Sequence, residues 1–363
     1  MTASSTSDPW RPGTEPLRIH DPSALSTTGD DGSRPRLARD EAYAYAVLRA
    51  WRDEVAARRD ERDGGASVGG DDDDDEWRTT SSVSAPLVYG CATDGTSLHG
   101  HIHRRFPPPP PMTNKNDPPP SPPPPLLPGI VLFHTGAGPQ DVFLRWKADS
   151  LVNEVGTFGD GGCVVLIADV LGDASGWAWH DRARYDDVRR DLLVPNGDGR
   201  RDALQERVRA AIDALSSQPG VDARRIGAMG FCLGGHPVLE LARMRTTLDS
   251  RVRVMATFHG VFDGVRELAP PATLEGGGAD EGCDVLVCTG EDDPYVSSED
   301  LDAAIRMFDD LGCRCRVMKF EGTRHGFTNP AQDYNPNRDA FAYNEAACNG
   351  AWSAALSLLK DMA

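Results

Sequence analysis

The chain has 363 residues, 56 of them acidic and 38 basic, which gives a formal net charge of −18 at pH 7. Nucleic acids and anionic membranes bind basic surfaces, so we expect neither as the main partner. No stretch has the length and apolar content of a membrane span, and the first residues lack the apolar core of a secretory signal. These features predict a cytoplasmic protein.

Three segments have compositions that do not favour a packed core. Residues 1–36 are rich in Ser, Thr, Pro, Asp and Gly, and residues 63–82 contain a run of five aspartates. Both offer too little apolar surface to offset the entropy of ordering, so we expect them to be disordered. The Asp run lacks the turn glycine and alternating spacing of a calcium loop, which favours a solvated linker. Residues 106–128 are dominated by proline and predict an extended insertion.

Residues 37–62, between the two predicted disordered segments, have the pattern of an amphipathic helix. Ala44, Leu48, Trp51 and Val55 recur at helical spacing and define one apolar face. We expect this helix to dock on the main domain in preference to binding a separate partner.

Residues 83–363 alternate between segments typical of strands and segments typical of helices. Two short strands around a turn are predicted first, and continuous apolar runs at 129–135 and 162–170 predict strands buried on both faces. Further strands are predicted at 225–231 and beyond, and a helix at 343–362 closes the chain. The alternation predicts an α/β fold in which helices cover both faces of a mostly parallel sheet. In such folds, sites form at the carboxyl ends of the strands.

The chain contains eight cysteines but no pair with the C-x-x-C spacing of zinc or redox sites. Several lie within apolar, strand-like runs. We therefore expect reduced, buried thiols in a reducing compartment.

Residues 230–234, Gly-Phe-Cys-Leu-Gly, have the spacing of the nucleophile elbow of α/β-hydrolases. Glycines relieve the crowding of the sharp turn between a strand and a helix. A helix that begins directly after Cys232 would favour its thiolate, and the Leu233 N–H would point at a developing oxyanion. The alternative is a small buried cysteine at a tight turn, because cysteine is among the most buried residue types.

A base and an orienting acid are available downstream of the elbow. Glu291, Asp292 and Asp293 follow one predicted strand, and His325 follows the next. The order nucleophile, acid, histidine is that of α/β-hydrolases, and the carboxyl ends of parallel strands would bring the three groups together.

From about residue 83 onward the chain resembles the dienelactone hydrolase family. It carries that family's motifs in order, as GFCLGG, GEDDPYV and HGFTNP. The resemblance implies an α/β-hydrolase fold and hydrolysis of a small-molecule ester or lactone without a metal or cofactor. It also implies the triad Cys232, Asp293 and His325, with Asp293 selected because it precedes PYV.

The resemblance also implies a second oxyanion donor, the Gly136 N–H. At three other positions this chain departs from the enzymes that act on dienelactone itself. Those enzymes have a glutamate where this chain has Thr135. They hold the substrate carboxylate with arginines where this chain has Asp173 and Asn329. The catalytic groups are therefore better matched than the substrate-binding groups.

Other polar residues flank the expected site. Thr135, His236 and Asn329 are candidates for lining the pocket, whereas His134 and His259 lie near the site loops without a role that the sequence defines.

Three histidines, His99, His101 and His103, share one face of a predicted strand. They could ligate a transition metal, but no carboxylate stands at ligand spacing, and we expect them to face solvent without a metal.

Two hypotheses of different classes follow. The first is a hydrolase that cleaves ester or lactone bonds through a cysteine nucleophile. The second is a non-catalytic α/β-hydrolase scaffold used for binding or thiol redox sensing, which the departures at Thr135, Asp173 and Asn329 motivate.

Overall fold

An eight-stranded sheet runs through the protein, with the strand order β1-β2-β4-β3-β5-β6-β7-β8. The computed structural model describes residues 46–51, 53–54, 82–105, 125–159, 161–172, 182–244, 251–269, 282–335 and 337–362. The strands are β1 (Ser82–Cys91), β2 (Ser97–Arg105), β3 (Leu127–Phe133), β4 (Val164–Ala168), β5 (Val221–Phe231), β6 (Val252–Phe258), β7 (Cys283–Gly290) and β8 (Cys313–Phe320). Strand β2 runs antiparallel to β1 and β4, and the pairs from β4 to β8 are parallel.

Helices cover both faces of this sheet. They are α1 (46–51 and 53–54), α2 (Val142–Val152), α3 (Val155–Phe158), α4 (Arg182–Leu193), α5 (Asp202–Ser216), α6 (Gly235–Met244), α7 (Ser298–Asp310) and α8 (Glu345–Leu359). Side-chain oxygens of Asp141, Ser297 and Asn344 accept backbone N–H groups at the starts of α2, α7 and α8. Such caps satisfy amide groups that have no partner within the helix.

Strand β3, in the middle of the sheet, divides its apolar side chains between two cores. In β3, Val131 and Phe133 belong to the core beneath α5 and α6, whereas Ile130 and Leu132 belong to the core beneath α2 and α8. All four are fully buried. Continuous apolar runs are needed where a strand has no solvent-exposed face, and the predicted α/β-hydrolase fold with its mostly parallel sheet is confirmed.

Helix α1 packs on the core beneath α2 and α8. Val47 and Trp51 are buried there, and the Glu54 carboxylate accepts hydrogen bonds from Trp146 Nε1 at 2.6 Å and from Ser150 Oγ at 3.1 Å. Helix α1 therefore contacts the core through apolar side chains and α2 through the Glu54 carboxylate.

Several expectations fall partly or wholly outside the described residues. These are the N-terminal tail 1–36, most of the linker 63–82, residues 106–124 of the Pro-rich insertion, and Asp173. Strand β1 begins at Ser82 and β3 at Leu127, so the ends of the predicted linker and insertion belong to strands.

The expectation that the β2 histidines face solvent is wrong. His101 and His103 are buried against α2, and His99 is half-buried. His101 Nε2 lies 2.8 Å from Gln140 Oε1 and 3.0 Å from Arg145 Nη2. Arg145 of α2 and Gln140, which precedes α2, therefore supply polar partners for His101, a side chain that the alternating pattern assigns to solvent.

Two further differences concern an unpredicted helix and one cysteine. Helix α4 was not predicted, because charged residues occupy most of its positions and leave no apolar periodicity. All eight cysteines are free, and Cys91 is exposed, so the expectation of buried thiols fails at that position.

None of the helices in the described part of the chain combines the length and the hydropathy that a membrane-spanning segment needs.

The docking of α1 predicts a difference between its two faces. Trp51→Ala removes a buried indole and should lower the free energy of unfolding by about 3 kcal/mol. Arg49 lies on the same helix in an exposed ion pair with Asp53, so Arg49→Ala should change it by less than about 0.5 kcal/mol. Urea unfolding of both variants measures the difference, and equal stability of the two would contradict the docked position of α1.

Candidate active site

The carboxyl edge of the sheet collects the predicted catalytic residues. Cys232 follows β5, Asp293 follows β7 and His325 follows β8, each within five residues of its strand. Gly136 follows β3 at the same edge. The parallel strands thus bring together groups that are far apart in sequence.

Cys232 occupies a sharp turn between β5 and α6, with φ at +54°. This left-handed backbone is costly for a residue with a side chain, and it lifts the thiol out of the strand direction. The Cys232 carbonyl accepts the Val261 N–H at 2.9 Å, which ties the turn to the loop after β6. The predicted elbow geometry is present at this position.

The glycines on either side of Cys232 allow the chain to approach itself closely. A Cβ atom at Gly230 would lie 2.0 Å from the Gly234 carbonyl oxygen, and one at Gly234 would lie 2.6 Å from the Phe133 carbonyl oxygen. Both contacts are with backbone atoms, which cannot move aside cheaply. The spacing of the motif therefore has a steric cause.

His325 is held by the acid loop. Its Nδ1–H donates to Asp293 Oδ2 at 2.7 Å, and Asp293 Oδ1 accepts the Tyr295 N–H at 2.9 Å. Both side chains are buried, whereas Glu291 and Asp292 are exposed. Asp293 is the carboxylate of this loop that the fold brings to His325, and Nε2 of the imidazole is left to face Cys232.

The Cys232 sulfur lies among hydrogen-bond donors. Burial by itself raises the pKa of this thiol, but the charge and hydrogen bond of His325, with the Gly136 and Leu233 N–H groups, bring the pKa below its usual value. For His325, burial lowers the pKa, and the Cys232 and Asp293 charges outweigh it and raise the pKa overall. The opposite shifts favour a thiolate and an imidazolium held as an ion pair.

Helix α4 contributes a side chain next to the loop after β3. A Cβ atom at Gly136 would lie 3.0 Å from Tyr185 Oη, so the absence of a side chain at Gly136 leaves room for the phenol. Tyr185 could not be predicted from the sequence, because the helix that carries it lacks an apolar period.

The predicted pocket residues Thr135 and Asn329 are engaged in local hydrogen bonds. Thr135 Oγ1 donates to Asp141 Oδ2 at 3.2 Å and accepts the Ala137 N–H at 3.1 Å. Asn329 Oδ1 accepts the Ala331 N–H at 3.0 Å and caps the turn Pro330–Tyr334. Both oxygens stabilise loops that border the site.

His236, the third predicted pocket residue, is fully buried at the start of α6. Its Nδ1 accepts from Arg201 Nη1 at 3.1 Å, and its Nε2 lies 3.1 Å from Asp263 Oδ1. Burial, with the Arg201 charge, lowers the pKa of His236 to about 4 and keeps the ring neutral. Asp263 in turn accepts both hydrogen bonds that Arg189 Nη2 donates, at 2.5 and 2.7 Å.

Aromatic rings surround His325. The rings of Tyr295, Phe341 and His259 lie with their centroids 4.9, 5.4 and 5.0 Å from that of His325. His259 also has a left-handed backbone, with φ at +43°, and its Nε2 lies 2.9 Å from Thr328 Oγ1. Burial and the nearby His325 charge lower the pKa of His259 well below its usual value.

Among the described residues, no three His, Cys, Asp or Glu side chains are grouped closely enough to hold a metal ion. The β2 histidines are included in that statement.

Comparisons with known proteins show the family and the fold of this chain. The family model "Dienelactone hydrolase family" matches residues 119–363. An uncharacterized protein of Caenorhabditis elegans is 30% identical over 161 residues, which is 44% of this chain and 93% of that protein.

Two solved structures are similar over most of the chain. A dienelactone hydrolase-like promiscuous phosphotriesterase from metagenomic libraries is 26% identical with a TM-score of 0.57, and a structure titled m3DLH is 27% identical with a TM-score of 0.59. Each comparison covers 78% of this chain and 99% of the other. The chain therefore belongs to the dienelactone hydrolase family, and its class of activity is the hydrolysis of ester-type bonds.

Proposed function

We propose that the protein hydrolyses carboxylic esters or lactones of small molecules with Cys232 as the nucleophile, His325 as the acid and base, and Asp293 as the orienting acid. The observation that carries this proposal is the environment of the Cys232 sulfur. It lies at a left-handed elbow and is hydrogen-bonded by His325 and by the Gly136 and Leu233 N–H groups.

Acylation begins from the thiolate. The Cys232 sulfur forms a bond to the carbonyl carbon, and the carbonyl oxygen takes up the negative charge. The Gly136 and Leu233 N–H groups donate to that oxygen. When the tetrahedral intermediate collapses, the carbon–oxygen bond of the ester breaks and His325 Nε2 gives its proton to the leaving alcohol.

Deacylation reverses the role of the histidine. Neutral His325 takes a proton from water, and the hydroxide attacks the thioester carbon through the same oxyanion site. The carbon–sulfur bond breaks, the acid product leaves, and the thiolate and imidazolium are restored. Asp293 keeps the Nδ1–H of the ring bonded throughout, so Nε2 stays directed at the reaction. In a lactone the leaving alcohol remains attached, and the product is a hydroxy acid.

The substrate class is argued from the residues around His325. Tyr295 and Phe341 present aromatic rings beside it, and Tyr295 is 43% exposed. An apolar or planar acyl or leaving group can pack on these rings. Thr135 and Asn329 have neutral side chains that bind their own loops, and neither offers the positive charge that an arginine would present to a substrate carboxylate. We therefore favour uncharged esters and lactones over dienelactone itself.

The alternative, a non-catalytic thiol sensor, would also use a reactive cysteine. A sensor needs an activated thiol but no base aligned for water and no pair of oxyanion donors. The His325–Asp293 hydrogen bond and the two N–H groups beside the sulfur favour turnover.

The triad predicts a defined pattern of activity loss. Wild type should release nitrophenol from p-nitrophenyl acetate, and Cys232→Ala and His325→Ala should each lower kcat/KM at least about a thousandfold, because a triad acts as a unit. Cys315→Ser is the matched control, since this half-buried thiol lies on β8 away from the elbow, and it should retain wild-type activity.

The same assay should extend to lactones, charged dienelactone and a p-nitrophenyl phosphotriester, the last because one structural relative is named for that activity. Hydrolysis that is equal in wild type and Cys232→Ala for every substrate would contradict the enzyme and favour the thiol sensor.

The pKa shifts predict selective alkylation of Cys232. In a Cys91→Ser background, which removes the exposed thiol, iodoacetamide at pH 7 should label Cys232 before the others. Burial raises the pKa of Cys288 and Cys315 to about 12, so these two thiols remain protonated and slow to react. His325→Ala should slow labelling of Cys232 by removing the cation that lowers the pKa of its thiol.

The pH dependence follows from the direction of the shifts. The lowered pKa of Cys232 keeps its labelling rate high as pH falls from 9, and the rate drops only when the thiolate of the folded state is protonated. Mass spectrometry of the digested protein measures each thiol. Uniform labelling of all cysteines, or a Cys232 rate that His325→Ala leaves unchanged, would show that the thiol is not activated.

A further inference from the structure

The oxyanion site depends on the orientation of one peptide group, the one that joins Thr135 to Gly136. In a planar trans peptide the C=O and N–H bonds point in opposite directions. The direction of the Thr135 carbonyl therefore fixes the direction of the Gly136 N–H. A flip of this peptide would present a carbonyl oxygen where an N–H now faces the Cys232 sulfur.

Gly136 itself does little to resist such a flip. Glycine populates a wide range of backbone conformations, and Gly136 contributes no Cβ that would oppose rotation. The constraint has to come from groups that bind the Thr135 carbonyl. Two do so: the Gly138 N–H at 3.1 Å and His134 Nδ1 at 2.6 Å.

The contact with His134 Nδ1 is the shorter of the two. His134 directly follows β3 and is fully buried. Its second nitrogen, Nε2, accepts the Val170 N–H at 3.0 Å at the end of β4. A carbonyl oxygen only accepts and a backbone N–H only donates, so the two partners define the tautomer. His134 therefore donates its Nδ1–H to the Thr135 carbonyl, and its Nε2 also lies 3.6 Å from the buried Asp169 Oδ1.

The Val170 N–H, which donates to His134 Nε2, is held in place as well. Asp169 Oδ1 accepts the Leu171 and Gly172 N–H groups, both at 2.8 Å, which fixes the turn that presents the Val170 N–H. The imidazole thus connects the loop after β3 to a rigid turn after β4. Such a bridge sets where the Thr135 carbonyl points.

We propose that His134 is a positioning residue for the oxyanion site: its Nδ1–H holds the Thr135 carbonyl so that the Gly136 N–H faces the reacting carbonyl. His134 acts through the peptide, because its ring nitrogens bind the Thr135 carbonyl and the Val170 N–H. The proposal rests on the proposed hydrolase function, because it assigns a cause to one of the two oxyanion donors used there.

Two substitutions separate the two hydrogen bonds of His134. In His134→Asn, the amide nitrogen bonded to Cγ takes the place of Nδ1 and can still donate to Thr135. In His134→Gln, the amide group reaches the place of Nε2 and can still accept from Val170, but nothing donates from the Nδ1 position. Each variant loses one of two buried hydrogen bonds, so both should lower the melting temperature by a similar amount.

The expected kinetic result differs between the two. His134→Gln should lower kcat for p-nitrophenyl acetate by about tenfold to a hundredfold with KM within about threefold, as expected when an oxyanion donor is lost or misdirected. His134→Asn should retain kcat within about threefold. A purely structural role predicts that kcat follows the melting temperature, so equal losses in both variants, or no loss in His134→Gln, would overturn the proposal.

A readout without turnover keeps this test separate from the proposed function. Crystal structures of the two variants should show the Gly136 N–H directed at Cys232 in His134→Asn and turned away in His134→Gln. An unchanged peptide in His134→Gln would overturn the positioning role even if every ester were hydrolysed. Failure of wild type to hydrolyse any ester would overturn the proposed function and leave the crystallographic comparison to decide on His134.

Discussion

The left-handed backbone of Cys232 is the constraint on which the site depends. Holding a non-glycine residue in this region costs on the order of 1–3 kcal/mol, and the surrounding structure has to supply it. The close approach of Gly230 to the Gly234 carbonyl and the hydrogen bond from the Val261 N–H to the Cys232 carbonyl do so. The strain places the thiol in the 3-10 turn Cys232–Gly234 that leads into α6, outside the sheet and next to two backbone N–H groups.

Once the elbow is formed, burial makes the charges around it strongly interdependent. His325 and Asp293 lie in a region from which water is largely excluded, and in such a region opposite charges stabilise each other more than in water. The thiolate and the imidazolium each offset part of the other's cost of burial, together with the backbone N–H groups at Cys232 and the Asp293 carboxylate at His325. The neutral rings of His259 and Phe341 pack beside this pair without adding a competing charge.

The sequence was informative where the fold requires a particular residue type at a particular place. The glycines around Cys232 are needed sterically, and the acid and histidine loops each follow a strand of the parallel sheet, so the order nucleophile, acid, histidine could be predicted. The choice of Asp293 over Glu291 and Asp292 depended on the family resemblance. Sequence did not predict Tyr185 or the burial of His101. Most residues of α4 are charged, so its sequence does not show which side chains pack on the domain. Helix α2 buries a face of β2 that the alternation of polar and apolar residues assigns to solvent.

His134 illustrates a second kind of information that sequence does not contain. A histidine at the end of an apolar run can be a base, a ligand or a buried structural group, and only its partners distinguish these roles. Besides the Asp169 carboxylate, which lies 3.6 Å from Nε2, the partners of His134 are backbone groups, a carbonyl and an N–H, which nearly every residue possesses. A pattern of side chains therefore carries no trace of them.

Thr135 stabilises the loop that also carries Gly136. Its hydroxyl donates to Asp141 Oδ2 and accepts the Ala137 N–H. Because this hydroxyl is engaged within its own loop, Thr135 helps to hold the backbone whose Gly136 N–H lies beside the Cys232 sulfur. The departure from the family pattern at Thr135 therefore places a neutral, loop-binding side chain where related enzymes have a carboxylate, and it leaves the hydrogen-bond donors around the sulfur in place.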